Sequence, residues 1–303
     1  MDFLIFALVY PIVWFISRLP MKILYIISDI LFFFVYYIFG YRKKVVQNNI
    51  NTCFPEKSET ERKSIVKNFY KHFIDLMIES IKAFTISEKE IKKRYHYKNI
   101  ELLEELIKKD RSVILTAAHQ GNWEWSFYLP SMINIPMYAA YTKLGNKFFD
   151  KKVATSRSKF GGRGFKDLNV IKGMYLHQKE NIKGLYLLIS DQSPQLSKTF
   201  YWRDFFNVNV PVHTGAEMLA KKLNHAVVHY TTKRIKRGYF ETEFELITEN
   251  PRDFEDYEIT DKYFEIVERK IREQPHCYLW SHKRFKHKNK YEEWQNQQKR
   301  EAN

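Results

Sequence analysis

Residues 112–118 read Ser-Val-Ile-Leu-Thr-Ala-Ala, a short run suited to a buried strand, and the chain passes straight from it into His119-Gln120-Gly121-Asn122-Trp123-Glu124. Over residues 123–132 an apolar pattern compatible with a helix resumes, which places His119 and Glu124 on a strand-to-helix turn. On a continuous helix, five positions would rotate the two side chains about 140° apart, so they could not meet. Gly121 and Asn122 supply the break that lets them. A histidine beside a carboxylate makes a base able to activate a hydroxyl, which points to acyl transfer. His119 would take the acceptor's proton as it attacks. Glu124, hydrogen-bonded to the far ring nitrogen, would fix the tautomer and stabilise the imidazolium. The same pattern also suits a satisfied core histidine followed by an ordinary first-turn acid.

Helices and strands alternate around this turn. A Ser-x-x-Glu capping box at Ser58 predicts a helix, along which Ile65, Phe69, Phe73, Met77 and Ile81 form a stripe that would bury against the domain. A second Ser-x-x-Glu at Ser87 opens a short helix, and residues 100–108 make another. Strands are expected over 137–142, 184–190, 226–232 and 239–247, with helices over 147–160, 167–178, 214–223 and 261–273. This order predicts an α/β fold, a mixed central sheet flanked by helices. With 303 residues, 45% apolar and 17% aromatic, the chain has ample material for its core. Cys53 and Cys277 lack CxxC spacing, which fits a reducing compartment and argues against a disulfide framework.

A formal charge of +15 calls for a polyanionic neighbour, whether nucleic acid, anionic lipid headgroups or an acidic carrier protein. Its distribution is informative, because two apolar blocks, 3–16 and 23–39, are followed at once by Arg42, Lys43 and Lys44. The first block contains Pro11 and the second Asp29, so neither is a clean span. The sequence divides into a hydrophobic membrane anchor, residues 1–41, and a catalytic domain, residues 42–303. The anchor either spans the bilayer or lies in its interface, and the basic residues after it place the domain in the cytoplasm. A pair of core helices would satisfy the same pattern.

Several ordered motifs together resemble the late acyltransferases of lipid A biosynthesis, the lauroyl and myristoyl transferases. They are the apolar N-terminus, Arg42 with Asn49 and Cys53-Phe54-Pro55-Glu56, the 119–124 block, and Asp150, Arg157 and Phe160 within 146–161. They continue with Asp191-Gln192-Ser193-Pro194, Phe205-Phe206 ahead of Thr214-Gly215, and the run 278–286. The resemblance implies a glycerolipid-acyltransferase-like fold at the bacterial inner membrane. It implies a fatty acyl chain moved from acyl carrier protein to a hydroxyl of a lipid A precursor, with His119 and Glu124 as the catalytic pair. Neither metal nor organic cofactor is implied. Anionic membrane lipids are expected neighbours and nucleic acid is not. Two departures, Ser193-Pro194 after Asp191-Gln192 and Lys143-Leu144-Gly145 where Arg-Pro is common, bear on the acceptor more than on the reaction.

With Asn122, three further residues are candidates for substrate binding. Arg157 could clamp a phosphate or an oxyanion, although on a lysine-rich helix it also reads as surface charge. Asp191 and Gln192 directly follow the 185–189 strand, where α/β proteins place ligand groups, though an Asp turn closed by Pro194 accounts for them as well. The 161–164 segment, Gly-Gly-Arg-Gly, reads as a helix stop in preference to an anion nest. His225 and His229 suit a buried strand better than a metal site. The rival from another class is a non-catalytic tethered protein using its basic surface, including Trp280 to Lys290, to bind anionic lipid or RNA. Another acceptor, whether a glycolipid, an aminolipid or a lysophospholipid, would leave the chemistry unchanged.

Overall fold

The computed structural model describes residues 1–141, 143–166 and 169–302. Two apolar helices come first, α1 (Asp2–Arg18) and α2 (Met21–Phe33), the second continued by a π-helical turn over Phe34–Phe39. Helices α3 (Lys43–Cys53), α4 (Glu59–Lys82) and α5 (Glu88–Arg94) then precede strand β1 (Tyr95–Lys98) and α6 (Glu101–Lys108). The alternating section runs β2 (Val113–Ala117), α7 (Leu129–Ile133), β3 (Met137–Tyr141), α8 (Lys147–Ser158), β4 (Gly162–Lys166), α9 (Asn169–Lys179) and β5 (Leu185–Ile189). A hairpin of β6 (Tyr201–Phe205) and β7 (Val208–Val212) follows, then α10 (Gly215–Leu223), β8 (Ala226–Lys236), β9 (Tyr239–Thr248), α11 (Glu258–Glu273) and α12 (Tyr291–Ala302). Thr142 and Asp167, where one strand was expected to end and one helix to begin, lie outside the described residues.

Among the described residues a seven-stranded sheet has the order β1-β9-β8-β2-β5-β3-β4. It is mixed, as expected: β2 runs parallel to both β5 and β8, while β8 and β9 are antiparallel. Every residue of β2 is buried because both faces of the sheet are covered. Val113, Leu115 and Ala117 pack on one face with Leu103 and Leu106 of α6, while Ile114 packs on the other with Met174 and Leu219. That is the period-two alternation of a strand.

Helix α4 begins at the expected capping box, with Ser58 accepting from the Glu61 N–H and the Glu61 side chain accepting from the Ser58 N–H. Its buried face differs from the expected stripe: Val66, Phe69, Tyr70, Ile74 and Ile78 are buried, whereas Met77 is exposed. A strict spacing of four drifts about 40° per step around a helix, so the stripe winds off the inward face. The expected helix over 123–132 also divides, into a 3-10 turn at Trp125–Tyr128 and the short α7. Asn122 Oδ1 accepts from the Trp125 N–H at 3.0 Å, and Pro130 offers no N–H to continue a regular ladder. Gly161 does stop α8, with φ +93°, but Gly162–Lys166 is a strand paired with β3.

The apolar N-terminus packs against the rest of the chain. Met21–Phe39 is long and apolar enough to cross a membrane by length and composition, yet Met21, Leu24, Ser28 and Phe32 of α2 turn inward against the rest of the fold. Asp29 is accounted for by Arg237, whose guanidinium bridges it to Asp75 of α4. At the other end of the sequence, Arg42 donates to the Ser281 carbonyl, and Asn49 donates to the carbonyls of Trp280 and His282. Two motifs far apart in sequence thereby form one structural unit.

Candidate active site

Strands β2 and β5 are parallel neighbours in a register that sets Ala117 opposite Ile189. His119 and Asp191 each lie two residues beyond those positions, so the sheet delivers both to the same point past its carboxyl edge. His119 Nδ1 lies 2.8 Å from Asp191 Oδ1. Asp191 is 1% exposed and His119 22%. The Tyr278 hydroxyl and the His119 backbone N–H also donate to Asp191. A separate clip fixes the turn, because the Gly121 N–H donates to the Cys277 carbonyl at 3.1 Å and the Leu279 N–H to the His119 carbonyl at 3.0 Å. Gly121 occupies φ +65°, and a Cβ there would stand 2.6 Å from the Thr232 carbonyl oxygen, so glycine is required twice over.

The carboxylate on the ring is therefore Asp191, and the hydrogen bond expected from Glu124 is replaced. Glu124 instead takes a bidentate fork from Arg157, with Nη2 to Oε1 at 2.5 Å and Nε to Oε2 at 3.1 Å. The physical reason is the route of the chain: the 3-10 turn after Trp123 directs Glu124 toward α8, while Asp191 arrives on the adjacent strand. Glu124 still acts on the imidazole through space. Burial tends to push the His119 pKa down, but the charge and hydrogen bond of Asp191, with a smaller contribution from Glu124, hold it above its ordinary 6.5. Burial would likewise raise the Asp191 carboxyl, and the pairing with His119 instead holds it below its ordinary 3.8. With Nδ1–H committed to Asp191, neutral His119 carries its lone pair on Nε2. This is the tautomer a general base needs.

His119, Glu124, Arg157 and Gln192 line one cavity of about 710 Å³, walled by apolar side chains such as Ala139, Leu187 and Leu219. Trp123 stands edge-on to the imidazole at 5.2 Å. A second chamber of about 240 Å³, lined by Ile81, Phe84, Trp125 and Phe160 among others, shares Glu124, Arg157, Phe127, Leu144 and Val153 with the first. The Glu124–Arg157 pair thus stands where the two spaces meet. Asn122, expected to bind substrate, is fully buried away from both: Nδ2 donates to Glu79 Oε2 at 2.8 Å while Oδ1 holds the Trp125 N–H. It braces the turn. Desolvation, reinforced by Asp75, raises Glu79 to about 8.

Sequence reasoning did not single out His213, which lines the large cavity and is held below its ordinary pKa by burial. His282, pushed down to about 4 mainly by burial, accepts the Ser193 N–H on Nε2 and holds the segment after Asp191. Its place within the 278–286 run was the available signal. Arg284, 1% exposed, lies under Phe205 and Phe264 and donates to the Pro211 carbonyl, tying the β6–β7 hairpin to the same C-terminal segment.

A histidine–aspartate pair with its carboxylate buried and its ring lining a cavity, beside an arginine–glutamate fork, is equipped for proton abstraction and anion stabilisation. The chain belongs to the bacterial lipid A biosynthesis acyltransferase family, whose model matches residues 2–287. It is 30% identical over 162 residues to lipid A biosynthesis acyltransferase 2 of Shigella flexneri, covering 52% of this chain and 49% of that one. To the lipid A biosynthesis myristoyltransferase of Escherichia coli K12 it is 28% identical, covering 52% and 48%. In these two comparisons the chain spans about half the length of the relative. The lauroyltransferase of the same organism aligns more fully, at 26% identity over 91% of this chain and 89% of its own length.

Proposed function

We propose that this protein is an acyltransferase that moves a fatty acyl chain from an acyl carrier protein thioester to a hydroxyl of a lipid A precursor. We place it at the inner membrane with its catalytic part toward the cytoplasm and, by its family, on a glycerolipid-acyltransferase-like scaffold. The observation that carries the reading is the His119–Asp191 pair, whose ring lines a cavity of about 710 Å³ with both apolar and charged walls. Nε2 of His119 removes the proton of the acceptor hydroxyl as its oxygen attacks the thioester carbonyl. The tetrahedral intermediate collapses, the C–S bond breaks, and the imidazolium returns the proton to the departing thiolate. Asp191 stabilises that imidazolium. Arg157, aimed by Glu124, supplies positive charge to the developing oxyanion or to an acceptor phosphate.

The smaller chamber beyond the fork suits the hydrocarbon of the donor, because Ile81, Phe84, Ile86, Trp125 and Phe160 make most of its lining apolar. The net charge of +15 suits an acidic carrier and anionic headgroups. The test is a reconstituted reaction in which acyl carrier protein and coenzyme A thioesters are each offered with a panel of lipid A precursors, other glycolipids and lysophospholipids. The expected product is a lipid A precursor heavier by one acyl chain, formed from the carrier-bound donor. Transfer only to a lysophospholipid would overturn the acceptor assignment.

A further inference from the structure

The exposed face of the N-terminal helices forms two lengthwise stripes. On α1 it is Leu4, Leu8, Ile12 and Phe15, and on α2 with its π-turn it is Ile23, Ile26, Ile30 and Phe34. Spacings of three and four put each set on one side of its helix. The opposite sides are tied to the catalytic part of the chain at both ends. At the start of α1, Asn146 donates to the Asp2 carbonyl, and Phe3 and Phe6 lie against Phe148 of α8 at 5.4 and 5.5 Å. At its end, Lys82 Nζ holds the carbonyls of Ser17 and Leu19, each at 3.0 Å. Along α2, the Tyr25 hydroxyl donates to Glu79, Ser28 to Asp75, and Asp29 receives Arg237. Where the π-turn follows, Tyr36 packs on Tyr70 at 5.3 Å.

We propose that α1 and α2 lie flat in the surface of an anionic bilayer as a monotopic anchor, and that neither helix crosses it. A helix tied at both ends to one folded body can cross only if that body crosses with it, and α4, to which α2 is tied, exposes Lys67 and Lys71. Spanning would also strip Asp29 and Ser28 of their partners inside hydrocarbon. Cations seated on aromatic rings border the two helices: Arg18 on Trp14 at 4.6 Å, Lys152 on Tyr10 at 4.8 Å and Lys43 on Tyr36 at 4.1 Å. Such pairs belong at headgroup level, where the ring is half in apolar surroundings and the charge meets lipid phosphate. The arrangement has a consequence for access. Helix α8 meets α1 through Phe148 and Phe149 and lines the large cavity through Asp150, Val153 and Arg157. A lipid headgroup can therefore reach His119 from the leaflet while its own chains stay there.

This rests on the membrane location proposed above and not on the chemistry, so depth rather than turnover is the readout. Nitroxide labels are placed on the full-length protein as Ile23→Cys, Ile26→Cys, Ile30→Cys and Phe34→Cys, the buried Cys53 and Cys277 being left in place. Each variant is bound to phosphatidylethanolamine–phosphatidylglycerol vesicles, and immersion is read from oxygen and nickel-chelate accessibility. A flat-lying α2 gives four similar depths, all short of the bilayer centre. A spanning α2 gives a graded series spread over about 16 Å between positions 23 and 34, and labels that stay water-exposed exclude lipid contact; either result overturns the proposal. Independently, Lys22→Cys at the corner and Lys109→Cys on the domain should react with an impermeant maleimide from the same side of sealed vesicles. Reaction from opposite sides overturns it too. Acyl transfer can fail without altering these depths, and the depths can refute the flat anchor while transfer stands.

Discussion

Replacing Asp191 by Asn keeps the shape of the buried partner and removes its charge. The ring and carboxylate are joined at 2.8 Å, with Asp191 1% exposed, so solvent does little to screen the pair. With charge centres about 4 Å apart and an effective dielectric near 20, the imidazolium of the transition state loses about 4 kcal/mol of attraction. At 1.36 kcal/mol per decade this is a fall in kcat/KM on the order of 10³-fold. The pH dependence carries the sharper test. With His119 as the proposed general base, activity needs its neutral ring, and because its pKa is held above 6.5 the acid limb of kcat/KM should lie above that value. Removing Asp191 withdraws the main stabiliser of the charged ring, and the limb should move to lower pH even as the rate falls. Glu124→Gln should move it in the same direction by less, since Glu124 acts only through space. The assay is initial-rate acyl transfer across pH 5 to 9, with circular dichroism confirming the fold. An Asp191→Asn enzyme within a few-fold of wild type, or a limb that moves further for Glu124→Gln, would refute the reasoning.

The fork predicts thermodynamic coupling: Glu124→Gln and Arg157→Gln should each cost on the order of 10²-fold in kcat/KM, and the double variant little more, read as a double-mutant cycle. Additive losses would show that the two residues work apart. Ser156→Trp fills the smaller chamber and should reduce use of the preferred donor by about 10-fold or more while sparing shorter chains, measured from product masses. An unchanged chain profile would remove the acyl tail from that space. Gly121→Ala should destabilise the fold by about 1–3 kcal/mol, because φ +65° and the Thr232 carbonyl oppose a Cβ; the check is a chemical denaturation midpoint.

The parts of the fold visible in the sequence were those fixed locally. The 112–118 run read as a short buried strand, and the capping box at Ser58 marked the start of α4 through hydrogen bonds within one turn. Asp191 was in view as a candidate, but its partnership with His119 was not, since it depends on β2 and β5 being neighbours 72 residues apart. Glu124, five residues away, was the local suspect for a role that a distant strand fills. The β6–β7 hairpin was missed for a different reason: its turn places Phe206 and Asn207 at φ +52° and +56°, and phenylalanine in the left-handed region lacks the usual Asn-Gly or Asp-Gly signature. Strand β4 was hidden by glycines that look like punctuation. Gly162 and Gly164 are there because the Arg157 carbonyl and the Tyr141 ring occupy the space a side chain would need.

His119 as the general base is the centre of the account, and the most direct measurement compares wild type with folded His119→Ala in acyl transfer to a lipid A precursor, scored by mass spectrometry. The account predicts one added acyl chain from wild type and a loss on the order of 10³-fold or more in the variant. A His119→Ala enzyme that transfers acyl groups at the wild-type rate would contradict it.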